Sequence, residues 1–328
     1  TGYLDTITLG DPLQWDTDIG PVIDRHSQAE LMLHIERFRS QDRILYEGKL
    51  PDLKGYFVPP TIIELEDINE LHEEVFGPVL HVIAFSANKV NELLDQINRT
   101  GFGLTLGVHS RINQFCETVA QRAQVGNVYI NRNMIGATVG SQPFGGQDLS
   151  GTGPKAGGPR YLDRFRKHAA ESAGEAWNTE MSPAALRDEI ARAALESGRV
   201  FRDTLPGPTG ESNVLTALPR APLLCLGPGK EAARQQAMMV GAQGGRPAVA
   251  TGAIAPESLA DLEGISAVLW WGDEETARAL RKALASRKGP ILPLVTGAPD
   301  AGHALKERHV CVDTTAAGGN AKLLGGVS

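Results

Sequence analysis

The chain has 328 residues, 41% hydrophobic and 22% charged, with 32 Lys and Arg against 39 Asp and Glu for a formal charge of −7. This is the balance of a folded globular chain of about two domains, and it excludes disordered and fibrous classes. No basic stripe invites nucleic acid, and Cys116, Cys225 and Cys311, odd in number and widely spaced, fit a reducing compartment rather than a disulfide framework. The longest apolar runs, such as Ala267–Trp271 and Ile291–Val295, fall far short of the roughly 20 residues of a bilayer span. The chain opens Thr1-Gly2-Tyr3 without a leader pattern, so a cytoplasmic α/β chain, and a piece of a longer one, is expected.

In chain order, His26–Phe38 places Leu31, Ile35 and Phe38 on one helical face. Phe57–Ile63 and Val79–Phe85 are strand-like, with Pro59-Pro60 demoting the first to an edge or a bent approach. Asn88–Asn98 is amphipathic through Val90, Leu93, Leu94 and Ile97, and Gly101 stands where a C-cap belongs. Strand Leu104–Val108, helix Asn113–Gln124 and strand Asn127–Asn131 follow. A Gly/Pro-rich stretch, Gly145–Pro159, and a charged run, Arg160–Lys167, then precede a change of composition. Residues 1–173 hold 22 acidic, 16 basic and 10 alanine side chains, while residues 174–328 hold 17, 16 and 28.

A domain boundary is therefore expected near residue 174. Beyond it, Leu205–Gly210 reads as a loop or linker. Strands are predicted at Leu223–Leu226, Ala248–Ala250, Ala267–Trp271, Ile291–Val295 and Val310–Val312, with helices Glu231–Val240 and Glu274–Ser286 between them. A distinct tail is expected after about residue 305. Strand and helix alternate in both halves, which predicts an α/β fold with mainly parallel sheet covered by helices, doubly wound in the second half.

Several strings carry chemistry. In Glu74-Val75-Phe76-Gly77-Pro78-Val79 a carboxylate can accept from two ribose hydroxyls and a ring can pack on a flat heterocycle; a helix end and tight turn is the structural alternative. Gly136–Gly146 follows a strand end, where small residues let backbone N–H groups converge on an anion and Phe144 can wall an apolar slot; a plain surface loop is the alternative. Gly151–Gly158 superficially suggests a phosphate loop, yet Pro154 removes a donor and no helix starts there. Gly227-Pro228-Gly229-Lys230 lacks both Walker A and G-x-G-x-x-G spacing and reads as an ordinary strand-to-helix turn. Neither H-E-x-x-H nor C-x-x-C occurs, so no metal site is expected, and Cys116 sits inside a helix, where packing is the usual role.

Taken together, Glu74–Val79, Gly126–Asn133 and Gln142–Gly146 resemble the aldehyde dehydrogenase superfamily. Ile130–Asn133, Gly151–Pro159 and the terminal Cys311–Ala321 narrow the resemblance to the bifunctional proline utilization A family, whose second enzyme oxidises glutamate γ-semialdehyde to glutamate. The resemblance covers residues 1 to about 170 and the tail; residues 174–305 look like the degenerate aldehyde-dehydrogenase-like domain of its longer members. It implies an aldehyde dehydrogenase catalytic-domain portion (1–173), a Rossmann-like doubly wound domain (174–305) and a tail motif (306–328) covering an active site or interface.

The resemblance also assigns roles. Glu74 would hold the nicotinamide ribose of NAD, and Phe76 would pack near the nicotinamide. The N–H groups of Gly136 and Ala137 would grip the substrate α-carboxylate, without the hydroxyl that some relatives carry at Ala137. Phe144 would line the aldehyde slot. The family's nucleophilic Cys, general-base Glu and oxyanion Asn find no match and are expected upstream of Thr1, so the isolated segment is expected to be inactive. FAD is expected only in an upstream proline dehydrogenase region, as is any peripheral contact with the inner membrane. Implied partners are glutamate γ-semialdehyde, the upstream polypeptide and further copies in a homo-oligomer. Two alternatives stay open: a non-catalytic assembly or scaffold module, and a fragment of a monofunctional semialdehyde dehydrogenase.

Overall fold

The computed structural model describes residues 1–50, 52, 54–166, 169 and 175–315. They divide into two compact units, Thr1–Thr100 and Gly101–Ser328. In the first, Asp24 accepts a hydrogen bond from the Ser27 amide at 2.8 Å and so opens helix α1 (Arg25–Arg39). The helix buries Leu31, Ile35 and Phe38, the stripe its spacing predicts. These side chains pack on strands β1 (Ile44–Glu47), β2 (Thr61–Leu65) and β3 (Val79–Ile83), ordered β1-β2-β3 with β2 and β3 parallel. Strand β2 begins at Thr61 rather than Phe57 because Pro59 and Pro60 have no N–H to give a ladder. Helix α2 (Val90–Arg99) closes the unit with Leu94 buried.

The second unit begins with β4 (Phe102–Gly103), β5 (Thr105–Val108), α3 (Asn113–Arg122), β6 (Asn127–Ile130) and β7 (Gln147–Asp148). It continues with α4 (Pro183–Ala194), β8 (Phe201–Leu205), β9 (Glu211–Pro219), β10 (Leu223–Cys225), α5 (Lys230–Ala242), β11 (Pro247–Val249) and β12 (Ala267–Leu269). Helix α6 (Glu274–Ala285), β13 (Leu294–Val295), the short α7 (Ala301–Ala304) and β14 (Leu305–Asp313) complete it.

Strands β11, β10, β12 and β13 form a parallel sheet in that order. Leu224, Leu226, Ala248 and Val268 face Leu186 and Ile190 of α4 and Leu280 and Leu284 of α6. On the opposite face Leu223, Cys225, Ala267 and Leu269 meet Val240 of α5. Both faces are covered, so every residue of β10 and β12 is buried, as in a doubly wound α/β sheet.

A five-stranded sheet, ordered β5-β6-β14-β9-β8, corrects several expectations. Val310–Val312 does not extend the second half's parallel sheet; it lies in β14, which pairs in parallel with β6 and antiparallel with β9. Residues 305–313 are thus a central strand and not the start of a separate tail, while residues 316–328 of the tail motif lie outside the described residues. Residues 206–210 are the connection of the β8–β9 hairpin rather than a linker. Strands from both sides of residue 174 share this sheet, so the boundary expected there falls within one compact unit.

A buried polar cluster joins these strands. Asn127 has no exposed surface; its Nδ2 donates to the Pro143 carbonyl at 2.9 Å, and its Oδ1 accepts from Gly145 N (3.2 Å) and Lys155 Nζ (2.8 Å). Lys155, 2% exposed, also donates to the Gly145 carbonyl, and its backbone N–H donates to Glu307 Oε2 at 2.8 Å. Arg160 holds the other Glu307 oxygen at 3.1 Å. His309 donates through Nε2 to Asn213 Oδ1 at 3.1 Å and turns Nδ1 toward Asn127 Nδ2 at 3.5 Å, an arrangement that suits the neutral ring.

Burial lowers the Lys155 ammonium to about 7 against the pull of Glu307, and burial with the nearby Lys155 lowers His309 to about 4. Both groups bind protons more tightly in the unfolded chain, so stability rises with pH wherever the two states differ. Denaturant unfolding is expected to show stability falling from pH 6.5 toward 4 as His309 is forced to charge. It is also expected to show stability climbing above pH 7 toward the ordinary lysine range. In Lys155→Met the second rise should disappear; an unchanged slope above pH 7 would show that Lys155 does not titrate as described.

Candidate functional site

The segment after β6 is held from beneath by buried side chains. Tyr129, fully buried, donates through its hydroxyl to the Gly136 carbonyl at 3.3 Å, and the Arg132 guanidinium lies over its ring at 5.4 Å. Gly136 adopts φ +75°, and a Cβ there would meet nothing within 4 Å, so the glycine answers to the backbone angle rather than to crowding. Gln142 closes the loop: its N–H donates to the Thr138 carbonyl (2.8 Å), and its Oε1 accepts from Thr138 N (3.1 Å). Gln142 Nε2 donates to Glu211 Oε1 at 2.7 Å.

Glu211 is the anchor, accepting also from Arg132 Nη1 (2.6 Å) and Asn213 Nδ2 (2.7 Å). Burial works against its charge. Hydrogen bonds from Asn213 and Gln142, with the Arg132 charge, outweigh burial and hold the carboxylate below its usual range. Above this support, the N–H groups of Gly136 and Ala137 are exposed and donate to no group among the described residues. Phe144, half-buried, exchanges two backbone hydrogen bonds with Ala156 at 3.0 and 2.9 Å, which fixes its ring at the foot of the same loop. Gly136, Ala137 and Phe144 therefore belong to one supported loop.

Glu74 and Phe76 lie in the other unit, on the segment leading into β3. Glu74 is exposed and Phe76 is 83% exposed, while Val75 between them packs on the core of α1. Gly77 must lack a side chain, because a Cβ would stand 2.5 Å from Leu31. The two residues line an open cleft of about 1360 Å³ beside Ser27, Leu31 and His34 of α1. Behind it His34 and His81 approach Nε2 to Nε2 at 2.9 Å. Burial lowers both, His81 to about 4, so at neutral pH the rings are uncharged and one donates to the other.

The remaining candidates behave differently. All three cysteines are buried free thiols. Burial raises Cys116 and Cys225, and raises Cys311 to about 11 although Arg132 Nη1 lies 3.3 Å from its sulfur. A nucleophilic thiol needs the opposite shift. At the Gly227–Lys230 turn, the Gln236 side chain takes both the N–H and the carbonyl of Gly227 at 3.0 Å, and Trp177 N donates to the Pro228 carbonyl. The Gly227 N–H is therefore engaged within the turn. Among the described residues no three His, Cys, Asp or Glu side chains gather as metal ligands, and no helix is long and apolar enough to cross a membrane.

Sequence reasoning gave no role to Glu211, Gln142, Asn127 or Lys155. Their partners lie up to 182 positions away, and no local spacing marks them.

Comparison with known proteins assigns the architecture. The pattern of the aldehyde dehydrogenase family matches residues 1–169. The chain is 38% identical to the bifunctional protein PutA of Escherichia coli over 98% of its own length and 29% of that protein's, and 37% identical to PutA of Rhizobium meliloti over 95% and 29%. It is also 42% identical to 1-pyrroline-5-carboxylate dehydrogenase of Bacillus subtilis over 48% of this chain and 30% of the relative. A crystal structure of proline utilization A from Bradyrhizobium japonicum superposes with a TM-score of 0.48 at 52% identity, covering 50% of this chain and 17% of that one. The chain thus spans less than a third of the length of these curated relatives. It belongs to the aldehyde dehydrogenase family.

Proposed function

We propose that this chain is part of a bifunctional proline-catabolic enzyme and contributes to its L-glutamate γ-semialdehyde dehydrogenase site. The observation that carries the reading is the set of unengaged backbone N–H groups on this loop, Gly136 and Ala137 among them, with the loop braced from below by Tyr129, Gln142 and Glu211. Two convergent amides on a braced loop suit a carboxylate, and the substrate's α-carboxylate is the group to be held. Phe144 at the foot of the loop then lines the aldehyde chain.

Glu74 and Phe76 fit NAD: an exposed carboxylate two residues from an exposed ring, beside an open cleft, offers acceptors to a ribose diol and a face to a flat heterocycle. When bound, NAD supplies the hydride acceptor. The residues of this chain orient substrate and cofactor, which lowers the entropic part of the barrier. The thiolate, general base and oxyanion amide come in this reading from another part of the longer polypeptide, consistent with the raised cysteines here, and FAD belongs to its proline dehydrogenase region. A homo-oligomer and a covering role for the end of the tail complete the proposal.

For residues 175–305 the scaffold reading is favoured by the sealed Gly227 turn and by β9, whose Glu211 braces the loop. These residues then act through the substrate loop without binding NAD themselves.

NADH formation by the intact polypeptide tests both parts. Glu74→Ala is expected to raise KM for NAD by roughly 10-fold, since a hydrogen bond to a charged group contributes about 1.5–3 kcal/mol, and Phe144→Ala to raise KM for the semialdehyde through lost packing. Unchanged kinetics in both variants would defeat the site assignment. Glu211→Ala and Gln142→Ala are each expected to raise the semialdehyde KM several-fold while sparing that for NAD. Because the two side chains share one hydrogen bond, their double variant should cost less than the two effects combined. Independent effects would mean that Glu211 does not act through the loop.

A further inference from the structure

The second unit holds a separate concavity of about 180 Å³, formed by Gly151-Thr152, Arg220-Ala221, Ser266, residues 290–293, Gly302-His303 and Lys306. That is below the ~300–1,000 Å³ of drug-sized sites, so its occupant has few heavy atoms. Its charged lining is unbalanced: Arg164, Arg220 and Lys306 face a single carboxylate, Asp148.

The positive charge is only partly spent. Arg164 lies 3.4 Å from a carboxylate oxygen of the buried Asp300 and 3.2 Å from the His303 ring. Arg220 is fixed by neutral carbonyls, donating from Nε to Leu305 (3.0 Å) and Gly302 (3.2 Å) and from Nη2 to Thr152 (2.6 Å). Those contacts aim the guanidinium without neutralising it. Lys306, half-buried on β14, makes no side-chain hydrogen bond or ion pair among the described residues. Burial lowers its pKa, and the charges of Arg308, Arg220 and Arg246 lower it further, while Asp148 opposes them. Such crowding of like charge in a concave site calls for an anion. The N–H groups of Gly151 and Thr152 at the rim donate to no described group, and they open the glycine-rich string that superficially suggests a phosphate loop.

We propose that this pocket is a binding site for a small oxyanion, a phosphate or a compact carboxylate, held between the Lys306 ammonium and the Arg220 guanidinium. The site is independent of the Gly136 loop and of the dehydrogenase reading. Arg220 supplies the charge and the guanidinium N–H groups that its carbonyl contacts leave over, Lys306 a point charge, and the Gly151-Thr152 amides neutral donors. The pocket's size excludes a nucleotide.

Isothermal titration of the intact polypeptide with inorganic phosphate, and separately with acetate, tests this and distinguishes the two sources. Saturable binding of either is the expected result. Lys306→Met should weaken it roughly 10- to 100-fold, and Lys306→Arg should restore most of it. Asp148→Asn is the companion variant: Asp148 is exposed at φ +53°, a conformation asparagine tolerates, so the fold is retained and removing the opposing charge should tighten binding. The proposal is overturned if neither anion binds at tens of millimolar, or if binding is indifferent to both Lys306→Met and Asp148→Asn.

Discussion

An asparagine with no exposed surface must satisfy its amide from the protein alone, because leaving one such group unpaired costs on the order of 1–3 kcal/mol. Asn127 does so by gathering Pro143, Gly145, Lys155 and His309 around one side chain. Those partners belong to the loop after β6, the glycine-rich stretch and the last strand of the sheet. Satisfying Asn127 therefore aligns three segments far apart in sequence, and Lys155 and Glu307 extend the alignment to Arg160. An apolar core is tolerant of small slips in packing, whereas this cluster is directional and admits one arrangement.

The same strands carry the brace of the candidate substrate loop. β9 runs antiparallel to β14, which sets Asn213 opposite Cys311 and Glu211 opposite Asp313. Asn213 serves both networks, accepting from His309 and donating to Glu211. Glu211 in turn holds Arg132 and Gln142. The loop's exposed amides are thus fixed by a chain of hydrogen bonds that starts in the sheet. A flexible loop would have to be ordered on binding; this one is ordered beforehand, which removes part of that entropic cost.

The parallel sheet of the second unit shows how a dinucleotide-type fold is retained without its usual site. Its order and its two covered faces are those of a doubly wound sheet, and Gln236 ties both polar groups of Gly227 into the turn that follows β10. What this half contributes to the candidate site passes through the β8–β9 hairpin.

Local periodicity by itself determined helices α1, α2, α3, α5 and α6, though not α4 or α7, and most strands: the Leu31, Ile35 and Phe38 stripe, the short apolar runs at Leu223 and Ala267, and the strand at Asn127. Each depends only on which face its own residues bury, and that is written at spacings of two to four residues. The Gly77-Pro78 turn was legible for the same reason, since turns are local. Tertiary structure alone decided that residues 305–313 are a central strand, that the Leu205–Gly210 stretch is a hairpin connection, and that Glu211, Lys155 and Asn127 hold the site together. A polar residue looks the same in sequence whether it faces water or a partner more than a hundred positions away. Which of the two it meets is settled only when strand order brings the partner within hydrogen-bonding distance.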